Sequence, residues 1–284
     1  MSLPAWRVLA LLGLVPAMAV GQTQRTMESS RPLRGERELS VRLELSQGGF
    51  EVRPAGRDTL YATQFTWYPE RSRPAASYDR DRAALVAGLF PATRTPLQLA
   101  GSSPAQRGLV RISPEVELRL DAAIAASEAT LELGGLQLTE LTLTSAASKT
   151  TVTFSRPNQA LCRTATLAVE AGDLTVSGFG NAGCRQLRLS GGVGRVTLDF
   201  SGALPGQTDA DLALTMGELE LVLPRHAGIR ITTGGFLARF SPSGMTREGD
   251  VWLSEGYRAS TRRIHLAVTS SVGAVSVRWV GGER

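Results

Sequence analysis

Lysine is nearly missing from this chain: Lys149 is the only one, and the rest of its 31 basic residues are arginine. The formal net charge of +5 is modest and spread along the sequence, so no nucleic-acid partner is expected. Histidine is scarce too. His226 and His265 lie far apart, too few for a three-ligand zinc site, which also needs cysteine or carboxylate at close spacing. The chain has two cysteines, Cys162 and Cys184, with no Cys-x-x-Cys and no histidine nearby in sequence, which argues against a catalytic thiol. No Gly-x-Ser-x-Gly elbow occurs. The Gly-Gly-Val-Gly stretch at 191–194 is not followed by a helical pattern that would supply a phosphate-binding dipole. No cofactor and no metal are expected, and the chain reads as a non-enzyme.

Long apolar runs are also lacking. The longest, Val8 to Val20, covers 13 residues, short of the ~20 that a spanning helix needs. With Arg7 before it and Ala17-Met18-Ala19 or Ala19-Val20-Gly21 at its end, it has the parts of a signal peptide over residues 1–21. Cleavage after Ala19 or Gly21 is expected, with retention as an anchor as the alternative. No cysteine follows the run, so a lipoprotein anchor is not expected. The mature chain then has no transmembrane span and is exported, to the periplasm or the cell surface.

What is abundant is glycine, 30 residues, set among alternating polar and apolar positions. Gly172-Asp-Leu-Thr-Val, Gly194-Arg-Val-Thr-Leu and Gly217-Glu-Leu-Glu-Leu repeat one motif at steps of 22 and 23. Leu167, Leu189 and Leu212 each precede their glycine by five positions. Such a period with strand-like alternation is the mark of a solenoid, in which each coil buries the apolar face of the next. Cys162 and Cys184 are 22 apart and share this register. Equivalent positions on stacked coils lie about 4.8 Å apart, within reach of a disulfide. A Cys162–Cys184 bridge is therefore expected; two buried free thiols are the alternative.

The rest of the chain divides less sharply. Residues 22–36 are polar and aperiodic and read as a flexible leader. Residues 37–115 read as an N-terminal β subdomain, 116–280 as the repeat solenoid and 281–284 as a tail. Within the subdomain, Leu39 to Leu45 and Phe50-Glu-Val52 flank a glycine turn, and 59–68 forms a strand with Leu60, Phe65 and Trp67 inward. Pro69 and Pro74 bracket a turn, Ser77 to Arg82 suits a strand, and Ala83 to Phe90 suits a short helix or a strand equally. Residues 91–108 are loop-rich. Aligning Leu143 with Leu167 places Ser148 at the glycine position of the preceding coil. Residues 224–248 read as a wider coil, Gly249-Asp-Val-Trp-Leu as a return of the motif, and Gly273-Ala-Val-Ser-Val as the last coil.

Candidate chemistry is thin. Glu170 with Asp173, and Glu218 with Glu220, are carboxylate pairs of the kind that cleaves glycosides, although outward positions between inward leucines explain them as well. Asp209-Ala-Asp211 suits a solvated turn, and His265, alternating with Leu266, suits the surface. Two groups of arginine with aromatics offer a ligand surface. One comprises Arg71, Arg73, Arg80 and Arg82 around Trp67, Tyr68 and Tyr78. The other comprises Arg258, Arg262 and Arg263 near Trp252 and Tyr257. Guanidinium and aromatic faces together hold carbohydrate or anionic polymer.

Taken in order, several segments resemble the bacterial toast-rack domain of LiaF-like cell-envelope response proteins and related adhesin-like domains of unknown activity. They are Phe65-Thr-Trp-Tyr68 with Tyr78, the stretches 131–158 and 171–181, and HAGIRITTGG at 226–235 with SEGYRASTRRIHLAVTSSVGAVSV at 254–277. The resemblance spans roughly residues 38–280. It implies an all-β fold, a single-stranded right-handed β-helix or β-prism, and a non-enzymatic role in envelope-stress sensing, adhesion or scaffolding. The implied partner is an envelope protein or polysaccharide, with self-association open through the end coils. Alternatives are a polysaccharide-active enzyme on a β-helix and an accessory regulator of an envelope-stress sensor. The LiaF-like members carry transmembrane helices before this domain, and this chain carries only its leader.

Overall fold

A computed structural model describes residues 23–92, 106–235, 240 and 242–281. The leader at 1–21, the segment 93–105 and the last three residues lie outside them. Among the described residues no helix is long and apolar enough to cross a membrane.

The chain is a β-solenoid whose coils each have two strand limbs joined at a corner. The middle coils are long strands bent at that corner: β10 (Gln137–Thr153), β11 (Thr164–Ser177), β12 (Gln186–Asp199) and β13 (Gln207–Pro224). They pair in parallel and in register, β10 to β11, β11 to β12 and β12 to β13. The alternation read in the sequence sets this arrangement. Inward positions stack as columns: Leu143, Leu167, Leu189 and Leu212 in the first limb, and Leu174, Val196 and Leu219 in the second, all buried. Each contributes roughly 1.5–3 kcal/mol by leaving water. Beyond the second limb, Phe154, Phe179 and Phe200 form an edge-to-face aromatic ladder at 6.0 and 5.6 Å between ring centroids.

The corners use two devices. In the later coils Gly172, Gly194 and Gly217 have φ of 110°, 138° and 154°. A Cβ on any of them would drive into the backbone carbonyl oxygen of the preceding coil, from Ser148, Gly172 and Gly194 respectively. Glycine is required twice over, by dihedral and by space. In the earlier coils the positive φ moves one residue back, to Ala126 (49°) and Ala147 (48°). The serine that follows ties the corner: Ser127 Oγ donates to the Ala125 carbonyl and Ser148 Oγ to the Ala146 carbonyl, each at 2.7 Å. Ser148 does stand at the glycine position of the next coil, opposite Gly172.

Cys162 and Cys184 sit just before β11 and β12 on neighbouring coils and form a disulfide, with their Cα atoms 4.3 Å apart. The expected bridge is present.

Towards the N-terminal side, β10 pairs with β8 (Glu117–Ala125) and β9 (Glu128–Glu132), the two limbs of one coil. The next coil is β2 (Glu38–Ser46) on β8 and β3 (Gly48–Pro54) on β9. Outside it lie β6 (Ala84–Pro91) on β2 and β7 (Gln106–Ile112) on β3. Antiparallel strands finish this end: β5 (Ser72–Asp79) on β6, β4 (Thr59–Trp67) on β7 and β1 (Arg25–Pro32) on β4.

Several local expectations are corrected here. Residues 25–32, expected within a flexible leader, form strand β1, because pairing to β4 and half-burial of Met27 order a polar segment that shows no strong alternation. Pro74 lies inside β5 and not in a turn; an edge strand tolerates a missing N–H. The hairpin turn falls at 80–83, where a strand end was expected, and Ala84–Pro91 is a strand and not a helix. Residues 106–108, placed in a loop, begin β7.

At the other end the stack passes directly from β13 to β17 (Arg263–Val280), so Gly217 pairs with Gly273. β14 (Gly228–Gly235) lies beyond β17 and pairs in parallel with its first limb. β14 also carries the antiparallel hairpin of β15 (Met245–Glu248) and β16 (Val251–Ser254). Gly249 is thus a hairpin-turn residue, not a coil corner as its motif suggested. Both ends share one device: β2–β3 and β17 are covered by strands formed from chain that lies between them in sequence.

Candidate binding surfaces

The first arginine–aromatic group is not gathered into one site. Tyr68 is buried, and its amide faces the Gln106 side-chain oxygen at 3.4 Å. Trp67 packs against the core. Arg71 stands in the turn before β5, and Arg73 on the strand itself. Arg80 and Arg82 lie past its other end, where Arg82 meets Asp79 at 3.7 Å. An eight-residue strand holds the two pairs roughly 20 Å or more apart.

Tyr78 belongs to a different cluster, one the sequence did not reveal. The Arg31 guanidinium lies 4.6 Å over its ring, Tyr61 packs at 5.7 Å, and Arg31 also binds Glu36 at 3.3 Å. Burial pushes the Tyr78 phenol above its ordinary pKa, and its buried hydroxyl has no partner. Glu36 is held below the usual carboxylate range, chiefly by the Arg34 amide donating to it at 2.6 Å, with Arg31 adding to the effect.

Arg82 reaches a small cavity of about 70 Å³ beside Arg119, Arg163, Glu38 and Glu117. Its charges alternate: Glu38 lies 3.8 Å from Arg119. A shallower hollow of about 480 Å³ opens on the outer face of the second limb, over Gly49 and Gly108 and between Arg107 and Glu128.

The second group is better assembled. Tyr257, in the turn between β16 and β17, places its hydroxyl 2.9 Å from His265 Nε2. His265 Nδ1 lies 3.0 Å from Asp209 on β13, and Gln207 donates to the same carboxylate at 2.9 Å. With Nδ1–H donating to Asp209, Nε2 accepts from the phenol, so the ring's tautomer is set by its partners. Arg263 lies 5.5 Å from the Tyr257 ring centroid, and Arg258 is paired with Glu248 at 2.9 Å. Arg262 is exposed, and its carbonyl accepts the Gly228 amide. Trp252 stands apart on the hairpin, with Phe240 edge-on at 6.2 Å and Arg247 at 5.8 Å. His265 is more engaged than its alternation suggested, with a side chain only 24% exposed.

The carboxylate pairs have local partners. Glu218 binds Arg195 at 2.9 Å, and Glu220 binds Arg278 at 2.9 Å, forming a ladder of ion pairs across neighbouring coils. Among the described residues no group of three or more His, Cys, Asp or Glu side chains is placed to hold a metal.

These features define a disulfide-stapled β-solenoid with polar, charge-laddered outer faces. The family described as the N-terminal domain of toast_rack, DUF2154, matches residues 19–177, more than half of the chain. The chain belongs to the toast-rack family. No curated protein matches it. A candidate cell adhesion protein from Clostridium sporogenes is similar at 12% identity and a TM-score of 0.47, over 90% of this chain and 100% of its own. A candidate adhesin from Bacteroides fragilis is similar at 11% identity and a TM-score of 0.40, over 90% and 98%. A candidate lipid-binding protein from Parabacteroides distasonis is similar at 11% identity and a TM-score of 0.29, over 92% and 98%.

Proposed function

We propose that this chain is an exported, non-catalytic binding module of the cell envelope. The face built by Tyr257, His265, Asp209 and Arg263 would be its contact with a hydroxyl-rich or anionic envelope polymer. Export is supported by the leader pattern at residues 1–21 and by the disulfide, which persists in oxidising compartments. The carrying observation is the hydrogen-bonded chain Tyr257–His265–Asp209 with Arg263 beside the ring. It holds an aromatic face and a guanidinium fixed before any ligand arrives, which lowers the ordering cost of binding. The enzyme alternative loses support from its own candidates, since Glu218 and Glu220 are occupied by arginines as structural ion pairs.

The test is calorimetric titration with fractionated envelope polysaccharides. Arg263→Ala is expected to weaken binding about tenfold or more, as a hydrogen bond to a charged group is worth ~1.5–3 kcal/mol. No binding to any fraction, or binding unchanged in Arg263→Ala, defeats this assignment.

A further inference from the structure

A parallel solenoid leaves a free edge at each end, and the described edges here differ in chemistry. β1, paired only with β4, carries Arg25, Glu28, Arg31 and Pro32. β5, paired only with β6, carries Arg73, Pro74 and Asp79. β15, paired only with β16, has four residues, ending in Arg247 and Glu248. Proline, charge and shortness are the features that keep an edge from recruiting another strand.

The second limb of β17 has none of them. β14 covers β17 only over Arg263–Ser270, and from Val272 to Val280 no described strand lies on its outer side. This stretch contains no proline and one charged residue, Arg278, which points outward and is held by Glu220. Its inward residues Val275, Val277 and Trp279 are half-buried, whereas Leu219 and Leu221, their neighbours one coil in, are fully buried. Val272, 60% exposed, ends an outward apolar column that continues through Met216 and Val193, exposed 51% and 55%.

We infer that this edge pairs with the same edge of a second copy of the chain, giving a closed two-fold dimer. Antiparallel pairing centred on Ser276 sets Val275 against the mate's Val277, and Ala274 against its Arg278. Apolar residues then face apolar ones and no like charges meet. A head-to-tail assembly would need a second receptive edge, and the described edges at the opposite end are blunted by proline and charge. An isologous contact closes at two. The proposal is independent of the polymer-binding face.

The experiment is sedimentation equilibrium of the full chain with two variants at one exposed position. The wild type is expected to sediment at twice its 30.2 kDa chain mass. Ser276→Lys sets like charges opposite each other across the axis, as does Ser276→Glu, so each alone should sediment at the single-chain mass with an unchanged circular dichroism spectrum. Their equimolar mixture should recover the doubled mass. A wild type that stays at single-chain mass up to its solubility limit overturns the proposal. So does a dimer that Ser276→Lys leaves intact, or a mixture that fails to re-form one.

Discussion

Replacing Gly194 with alanine tests the corner. The residue sits at φ 138°, and its missing Cβ would point into the carbonyl oxygen of Gly172 on the preceding coil. A side chain forced into a glycine-only region costs on the order of 1–3 kcal/mol. Overpacking against backbone that is itself locked into the stack adds typically 1–3 kcal/mol. The expected loss is therefore about 2–6 kcal/mol. At roughly 2–4 °C per kcal/mol for a domain of this size, the thermal midpoint should fall by on the order of 10 °C. Gly206 is the matched control, because a Cβ there meets nothing within 4 Å. Gly206→Ala should move the midpoint by no more than an ordinary surface change, about 0.5 kcal/mol. Both proteins would be melted by circular dichroism with the disulfide intact. If Gly194→Ala melts with Gly206→Ala and the wild type, the corner does not need glycine and the reading of the repeat is mistaken.

Two further outcomes follow from the same stack. Removing the bridge with Cys162→Ala and Cys184→Ala frees a 22-residue separation and should cost about 3 kcal/mol in denaturant unfolding, against no change when reductant is added to the double variant. Glu36 has a depressed folded-state pKa, so its contribution is present above the ordinary glutamate range and disappears as pH falls through the folded value. Glu36→Gln should therefore be less stable than the wild type by about 1.5 kcal/mol at neutral pH. The two should converge in acid, as read from urea midpoints across pH.

Where one coil follows the next, sequence pattern and structure coincide. Gly172, Gly194 and Gly217, the leucines before them and the two cysteines all stand where a period of 22–23 puts them. The pattern misleads at Gly249 because a hairpin and a coil limb show the same alternation of inward and outward residues, and only the pairing partner distinguishes them. That error hides the best-assembled surface cluster. With a coil at Gly249 interposed, Asp209 and His265 would be separated by a layer; with β17 directly on β13 they touch. The Arg31–Tyr78 contact was illegible for a similar reason, since it joins two antiparallel end strands whose polar sequences carry no periodic signal. The first arginine group failed as a unit because proximity in sequence along an extended strand means separation in space.

The position of β17 between β13 and β14 bears on how the molecule is made. Its two neighbours leave the ribosome first, yet neither can complete its hydrogen bonding until a strand synthesised later slots between them. A nascent chain must therefore wait with this gap unfilled, and in that interval an export chaperone would have most to hold.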